Sequence, residues 1–330
     1  MKAWQVHRTG EPRDVMRLDD IAEPAAGKGQ ILVRVLAANV NFPDALLCRG
    51  HYQVRPPLPF TPGVELCGEI TALGEGAEGE IGARVLAQPA YPSGAFAELA
   101  VVDATSVRPA PQALDDAQVA ALHIGYQTGW FGLHRRARLQ PGETLLVHAA
   151  AGGVGSAAVQ LGKAAGARVI GVAGGAAKAR TAAALSCDVV IDRTAQDVIA
   201  AVKEATDGRG ADVVYDPVGG AAYQQSAKTV AFEGRILVVG FAGGEIPAPA
   251  LNHALVKNYS IVGLHWGLYN LHDPAAVAHC HTELTRLAAE GAISPLISQR
   301  VPLDGAADAV QRVADGATTG RIAVLPQEKP

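Results

Sequence analysis

Cysteine is scarce and scattered in this 330-residue chain. Cys48, Cys67, Cys187 and Cys280 form no C-x-x-C pair, which excludes a zinc ribbon and a disulfide framework and fits a reducing compartment. Long apolar runs are missing too. Nothing approaches the roughly 18 consecutive apolar residues of a membrane span, and Met1-Lys2-Ala3-Trp4 leads straight into a predicted strand with no signal-peptide core. A cytoplasmic protein with no membrane partner is expected. Charge of one sign is not in excess, because 28 Lys and Arg stand against 32 Asp and Glu for a formal net charge of -4. Electrostatics therefore gives no reason to expect nucleic acid or an anionic membrane as a partner. The one dense cluster of potential metal ligands, His279-Cys280-His281, falls on a helix expected from Pro274 to Glu290. Successive helical residues point about 100° apart, so the three cannot converge on one ion, and no metal site is expected.

What the chain does have is apolar residues, at 49%, and 37 glycines, a composition suited to close helix-on-sheet contacts. Its length exceeds what one hydrophobic core usually serves, so two domains are expected. Up to about residue 120, short predicted strands (Lys2 to Arg8, Gln30 to Asn39, Val64 to Leu73, Arg84 to Ala87, Phe96 to Val102) alternate with turn residues. Pro56-Pro57-Leu58-Pro59 forbids helix there. This reads as a β-rich, barrel-like domain. From about Asp115 the pattern changes to a helix reaching Arg138, then strands at 144–149, 168–173, 188–191, 212–215, 235–239 and 259–263. Helices at 155–165, 176–185, 195–205 and 221–231 fall between most of them, which implies a parallel sheet with helices on both faces. The tail, with strands near 297–302 and 321–325, resumes the first domain's character. The expected layout is α/β, with residues 1–120 and 269–330 forming one domain and 121–268 the other, the two flanking a cleft. No internal repeat is seen, and no low-complexity segment beyond alanine-rich helices.

The most informative segment runs from Glu143 to Gly155, an apolar strand entering a glycine-rich turn and then a small-residue helix. On the spacing G-x-G-x-x-G, alanine (Ala150) takes the first position while Gly152 and Gly155 keep the others. Gly152 is expected to let the backbone approach a pyrophosphate and Gly155 to let the helix pack closely on its strand. Helix-start amides at Ala151, Gly152, Gly153, Val154 and Gly155 would hold the negative charge.

An absence then sets the choice of dinucleotide. In NAD-preferring folds an acidic residue about 20 positions past the glycines binds the ribose 2′-hydroxyl. Here the second strand ends in Ala173, Gly174 and Gly175, with Lys178 and Arg180 one turn on and Arg193 after the third strand. A 2′-phosphate would meet cations and no carboxylate, so NADPH is favoured. The plainer alternative is that these are solvated basic residues, and Asp192 is a carboxylate that points the other way.

Motifs spread over the whole chain complete the reading. Asn41-Phe-Pro-Asp44, Arg49-Gly-His-Tyr52, Pro62-Gly-Val-Glu65 with Gly68, Gly82-Ala-Arg-Val85, Gly94-Ala-Phe-Ala-Glu98, Ala150 to Gly155 and Asp212 to Gly219 resemble the medium-chain dehydrogenase/reductase superfamily. Within it, the chain is similar to the zinc-independent quinone oxidoreductases that include zeta-crystallin. The resemblance implies a GroES-like β-rich catalytic domain, a Rossmann doubly wound parallel-sheet domain, NADPH as reductant and a homodimer. Zinc-dependent relatives would need a cysteine within Asn41 to Asp44 and a histidine near Gly63 to Glu65, and neither is present. By the same resemblance, Asn41 and Asp44 meet the nicotinamide and Thr128 contacts it. Gly240 and Phe241, after the fifth sheet strand, border the cofactor, and Leu264 and Trp266, after the sixth, approach its reactive end.

Without a Lewis acid the hydride acceptor must already be electron-poor, which points to a quinone. The alternatives are an enone, enal or enoyl thioester, and, outside enzymes, a crystallin-like protein that holds NADPH without turnover. For a coenzyme A substrate, Arg55, Arg135, Arg136 and Arg138 are the basic candidates. Tyr52 is the candidate proton donor, although relatives often carry a second tyrosine where this chain has Leu46. Each candidate also has a structural alternative. Asn41 and Asp44 suit a helix cap, Thr128 a bond to a carbonyl one turn back, and Tyr52, Trp266 and His148 packing roles. The missing zinc ligands yield a prediction: protein dialysed against EDTA should oxidise NADPH with an acceptor at an unchanged rate. Strict dependence on added zinc would overturn the assignment.

Overall fold

The strand Gln30–Asn39 buries Ile31, Val33, Val35 and Ala37 completely while Arg34 stays exposed, the period-two pattern of a strand with one face on a core. It is the spine of the first of two units in the computed structural model, which describes residues 1–328. This unit comprises Met1–Ile124 and the segment from Pro295 onward. Leu66–Leu73 and Leu99–Asp103 pair antiparallel with the spine, and the sheet continues through Arg84–Ala87 to Arg108–Pro109. On the other side Arg321–Leu325 runs antiparallel to the spine, with Ala323 opposite Asn39, and Ile297–Pro302 lies parallel beyond it. The last strands of the chain thus complete the sheet built on the spine. Val33, Leu66, Phe96, Ile322 and Val324 belong to its core, together with Trp4 and Phe60.

The second unit, Gly125–Ser294, is built on six parallel strands. Their order is Val189–Asp192, Arg168–Ala173, Thr144–Val147, Ala211–Asp216, Val230–Val238, Ser260–Gly263. The central members are buried nearly end to end, as strands covered by helices on both faces must be. The chain starts at Thr144–Val147, proceeds outward to one edge, then returns beside its starting point at Ala211–Asp216. That reversal is a topological switch point, the place in open α/β sheets where ligands bind outside the carboxyl ends of the strands.

Element positions largely follow the sequence pattern, with two informative differences. The single helix expected up to Arg138 is a succession of turns, α-helical at Asp116–Ala121 and Gln127–Trp130 but wider, π-type at Leu122–Tyr126 and Phe131–Arg136. The helix Pro274–Ala289, expected to return with the tail, belongs to the second unit instead. Two contacts hold it there. The rings of Trp130 and His279 meet edge-on at 5.6 Å, and the Gln160 side chain both donates to the Ser294 carbonyl (2.9 Å) and accepts from the Ser294 amide (2.6 Å). Such pairings join residues more than a hundred positions apart, which periodicity cannot reveal. Among the described residues no helix is long and apolar enough to cross a membrane.

Candidate functional site

The strand Thr144–Val147 delivers the chain to the switch point, and the turn that follows is shaped by two small residues. Ala149 adopts a left-handed conformation (φ 51°), and Ala150, fully buried, ties its amide to Val172 of the neighbouring strand at 2.9 Å. Gly152 caps the helix Gly153–Ala164 in an extended conformation. A Cβ on Gly155 would lie 2.1 Å from the Ala149 carbonyl oxygen, so only glycine lets the first helical turn ride over this backbone. Farther along, Gly162 also lets the helix lie close to the strand, where a Cβ would meet Leu145 Cδ2 at 2.5 Å. Ala151 is buried, whereas Gly152, Gly153 and Val154 keep part of their surface. Amides in the first helical turn have no acceptor within the helix and sit at the positive end of its dipole.

The loops after the neighbouring strands are locked to one another. Asp216 accepts the amides of Val218 (2.9 Å) and Gly219 (3.0 Å), while Ala242 and Gly243 donate to the carbonyls of Pro217 and Val218. This fixes Gly240 and turns the Phe241 ring toward Gly219, where a Cβ would be 2.8 Å from Phe241 Cδ1. Leu264 donates its amide to Val238 at 3.1 Å. Trp266 is 7% exposed and stacks on Phe131, which stacks in turn on Tyr269, so its ring is committed to packing. Thr128 lies in the short helix Gln127–Trp130 and is 8% exposed. His148 is buried against Ser226 at 3.0 Å. Because Ser226 donates its hydroxyl to Ala222, the histidine must be the donor and carry its proton on Nε2. Burial holds this imidazole below its usual pKa, hence neutral.

At the end of Arg168–Ala173 the Arg193 guanidinium lies over Gly174, with Nε 3.1 Å from where a Cβ would be. Lys178 follows one turn into the helix Ala176–Ala184, its pKa lowered by burial and by the positive charge of Arg193. Asp192 accepts from Thr194 Oγ1 (2.7 Å), the Gly175 amide (2.8 Å) and the Thr194 amide (2.9 Å). These bonds, and the nearby charge of Arg193, hold its carboxyl below the usual range, so it stays ionised beside the cations. The arginines weighed for coenzyme A behave differently. Arg135 pairs with Asp273, Arg136 donates to Gly263, and with Arg138 they line a cavity of about 650 Å³ beside Glu143, Asp212 and Ser260. Those three residues mark the amino ends of the strands, opposite the glycine turn.

In the first unit Asn41 precedes the helix Phe42–Arg49, and Asp44 closes back on it by accepting the Asn41 amide at 2.7 Å. The other Asp44 oxygen accepts the Gly63 amide at 3.0 Å. The Asn41 side chain turns inward, donating to Asn39 O (3.0 Å) and Glu65 Oε1 (2.7 Å) and accepting from Arg321. Glu65 also accepts the Ile124 amide at 2.6 Å and pairs with Arg321 at 3.4 Å. Asp44 and Glu65 have no exposed surface. Tyr52 is half-buried on the same core.

Comparison with known proteins identifies the lineage. Residues 27–112 match the alcohol dehydrogenase GroES-like domain and 153–280 the zinc-binding dehydrogenase domain. The quinone oxidoreductase-like protein 2 homolog of Nematostella vectensis is 38% identical over 326 residues, spanning 98% of this chain and 88% of that one. The mouse quinone oxidoreductase-like protein 2 is 33% identical over 94% of this chain and 89% of its own. The chain belongs to the medium-chain dehydrogenase/reductase superfamily, among its quinone oxidoreductase-like members. Of solved structures, Escherichia coli quinone oxidoreductase complexed with NADPH superimposes with a TM-score of 0.91 at 29% identity, covering 99% of this chain and all of that one. A probable oxidoreductase from Mycobacterium abscessus gives 0.89 at 36% identity, covering 99% of each.

Two members of this reductase's buried cluster, Glu65 as an ionic partner and Arg321, escaped sequence reasoning. Glu65 stood inside a recognised motif, but a single acid in a predicted strand carries no sign of burial. Arg321 lies 256 residues from it, so no local pattern joins them. Burial raises the Glu65 pKa against the opposing pull of Arg321. Burial likewise pushes Asp44 up to about 7, with the Glu65 charge adding to the rise and the two amide donors resisting it. An acid whose folded pKa exceeds its unfolded one keeps a proton that the unfolded chain has released, so stability falls as pH rises between the two values. For Asp44 that window runs from 3.8 to about 7. Urea unfolding of the wild type should lose free energy across this range relative to Asp44→Asn; parallel pH profiles for the two proteins would refute it.

Proposed function

We propose that this reductase is an NADPH-dependent quinone oxidoreductase working without zinc. The observation that carries the cofactor choice is Arg193 lying over Gly174 beside Lys178, at a strand end that carries no acid of its own, while Asp192 from the next strand is held on the Gly175 and Thr194 amides. Burial and the Arg193 charge disfavour the Lys178 ammonium, and a 2′-phosphate between the two would relieve that. The residues fit the rest of the dinucleotide. Amides from Gly153 to Gly155 would hold the diphosphate, that of Gly152 being spent on the Ala149 carbonyl, while Gly240, Phe241 and Leu264 border its path at the carboxyl ends of the next strands. Thr128 is assigned to the nicotinamide end, Trp266, whose ring is packed away, offers backbone more than ring, and Asn41, committed to Asn39, Glu65 and Arg321, is left a positioning role. Bound NADPH supplies a hydride.

Acceptor chemistry is assigned to the first unit. Tyr52 would donate a hydrogen bond to the acceptor oxygen, its phenol kept protonated by burial and by the Asp44 charge. Asp44, with both oxygens on backbone amides and no exposed surface, is a positioning residue, not a proton donor to the acceptor. Zinc independence rests on residue chemistry: Asn41 to Asp44 holds no cysteine and Gly63 to Glu65 no histidine. Among the described residues no group of three or more His, Cys, Asp or Glu is placed to hold a metal.

A homodimer is part of this reading. Leu251, Leu255 and Val256 on the helix Leu251–Lys257 are 72–75% exposed, and the following strand, Ser260–Gly263, is an edge of its sheet. Unpaired strand edges and exposed apolar groups both favour covering by another chain. Sedimentation should give a dimer for the wild type and a lighter species for Leu255→Asp; a monomeric wild type would exclude it.

The cofactor assignment is tested by titration. Lys178→Ala and Arg193→Ala should each weaken NADPH binding by about 1–2 kcal/mol, the size of one charge-assisted contact, and leave NADH nearly unchanged. Equal losses for both coenzymes would contradict the phosphate role. NADPH oxidation screened against 1,4-benzoquinone, 9,10-phenanthrenequinone, 2-alkenals and crotonyl-coenzyme A decides the acceptor, and no turnover with any of them would favour a binding protein.

A further inference from the structure

We propose that Tyr91 is a second acceptor-contacting residue, its hydroxyl acting with that of Tyr52 on one carbonyl oxygen of the acceptor. The inference rests on the quinone reductase reading and names a residue that reading does not use. Tyr91 sits in the turn between the strands Arg84–Ala87 and Leu99–Asp103, and the turn is pinned on both sides. Ala90 donates to Val101 (2.9 Å) and Ser93 to Ala90 (3.0 Å), while Thr61 donates to the Pro92 carbonyl at 3.0 Å. The Tyr91 ring stands edge-on to Phe60, with centroids 6.3 Å apart and planes at 89°. Phe60 is itself 2% exposed and bonded to Val6 in both directions, at 2.8 and 3.3 Å. The ring therefore projects from a rigid mount.

Tyr52 stands on the loop after the helix Phe42–Arg49, within electrostatic reach of Tyr91. Both rings are half-buried and pack on the one core cluster that contains Phe60 and Cys48. The segments that carry them converge on Asp44, which opens that helix and binds Gly63, two residues beyond the Thr61 amide that holds the Tyr91 turn. Electrostatics agrees with the geometry. Burial raises both phenols, the Asp44 charge raises both further, and Tyr91 also feels Tyr52. Among the described residues neither hydroxyl has a hydrogen-bond partner, and neither is sealed from solvent. Two partnerless phenols within electrostatic reach of one buried carboxyl are donors available to an acceptor atom.

Reduction of a quinone places negative charge on an oxygen, and preorganised donors aimed at that charge lower the barrier. The hydride carries two electrons from NADPH to the quinone, leaving NADP⁺ and a hydroquinone anion. That anion takes its proton from water, so the two phenols hold it by hydrogen bonds and keep their own protons. Leu46, on the helix Phe42–Arg49, has no hydroxyl to offer. Tyr91 supplies the second donor from a different loop.

The test is Tyr91→Phe, which keeps the ring contact with Phe60 and deletes only the hydroxyl. With saturating NADPH, kcat/KM for 1,4-benzoquinone should fall about tenfold, the loss of one hydrogen bond in the transition state. The KM for NADPH and the melting temperature should not move. Tyr52→Phe should behave alike, and the double variant should lose less than the product of the two, since both donors serve one oxygen. If wild-type protein reduces the quinone and Tyr91→Phe matches it, or if the variant loses NADPH affinity in parallel, the inference fails and the reductase reading stands. If the wild type reduces no acceptor, the reading itself fails and takes the inference with it.

Discussion

Everything at the cofactor-facing end of the sheet depends on one close approach, the first turn of the helix Gly153–Ala164 against the carbonyl of Ala149. A side chain at Gly155 would place a carbon 2.1 Å from that oxygen, far inside van der Waals contact. The helix would have to lift, and its unpaired amides would lift with it. Because the dipole's influence dies away within a turn of the helix end, a shift of even an ångström or two would weaken the attraction for a diphosphate. The neighbouring loops are set by the same logic at lower stakes. Asp216, Ala242 and Gly243 cross-link two strand ends so that Gly240 and Phe241 are held by hydrogen bonds, not by their own conformational preference.

The first unit is organised around a different constraint, a buried charge that must be matched. Arg321, Glu65, Asn41 and Asp44 come from the last strand, a motif in the first third and the start of a helix, and their polar atoms answer one another inside the core. Removing one partner from such a set typically costs about 3–5 kcal/mol, because the remaining charge is left without compensation. The cluster therefore ties the C-terminal strand to the N-terminal sheet. It also explains why Asn41 and Asp44 are poor candidates for direct chemistry: their hydrogen-bonding capacity is committed inward. What they can do is hold the loop through Gly63 and set the electrostatic surroundings of Tyr52 and Tyr91.

Electrostatic arrangement separates the ends of the second unit. Lys178 and Arg193 gather where the glycine turn lies, with the Asp192 carboxylate held ionised by Thr194, Gly175 and the Arg193 charge. The arginines at 135, 136 and 138 lie among carboxylates at the amino ends of the strands, and two of them already hold protein partners. Equal formal charge thus has unequal meaning, decided by what each group is bonded to.

The sequence by itself determined the two kinds of architecture, the glycine turn and the missing acid, because these are local. Apolar alternation, strand–turn–helix order and the residues at a strand end are all written within a dozen positions. It also placed Asn41, Asp44 and Tyr52 in one region through their motifs. Only the tertiary structure decided that Gly162 adds a second close approach of that helix, that Pro274–Ala289 joins the second unit, and that Trp266 is stacked away. Only it supplied Arg321 to Glu65 across 256 residues, or set Tyr91 beside Phe60. The reason is physical: propensity and periodicity act over neighbouring residues, whereas burial, ion pairing and ring contact are fixed by which distant segments the fold brings together.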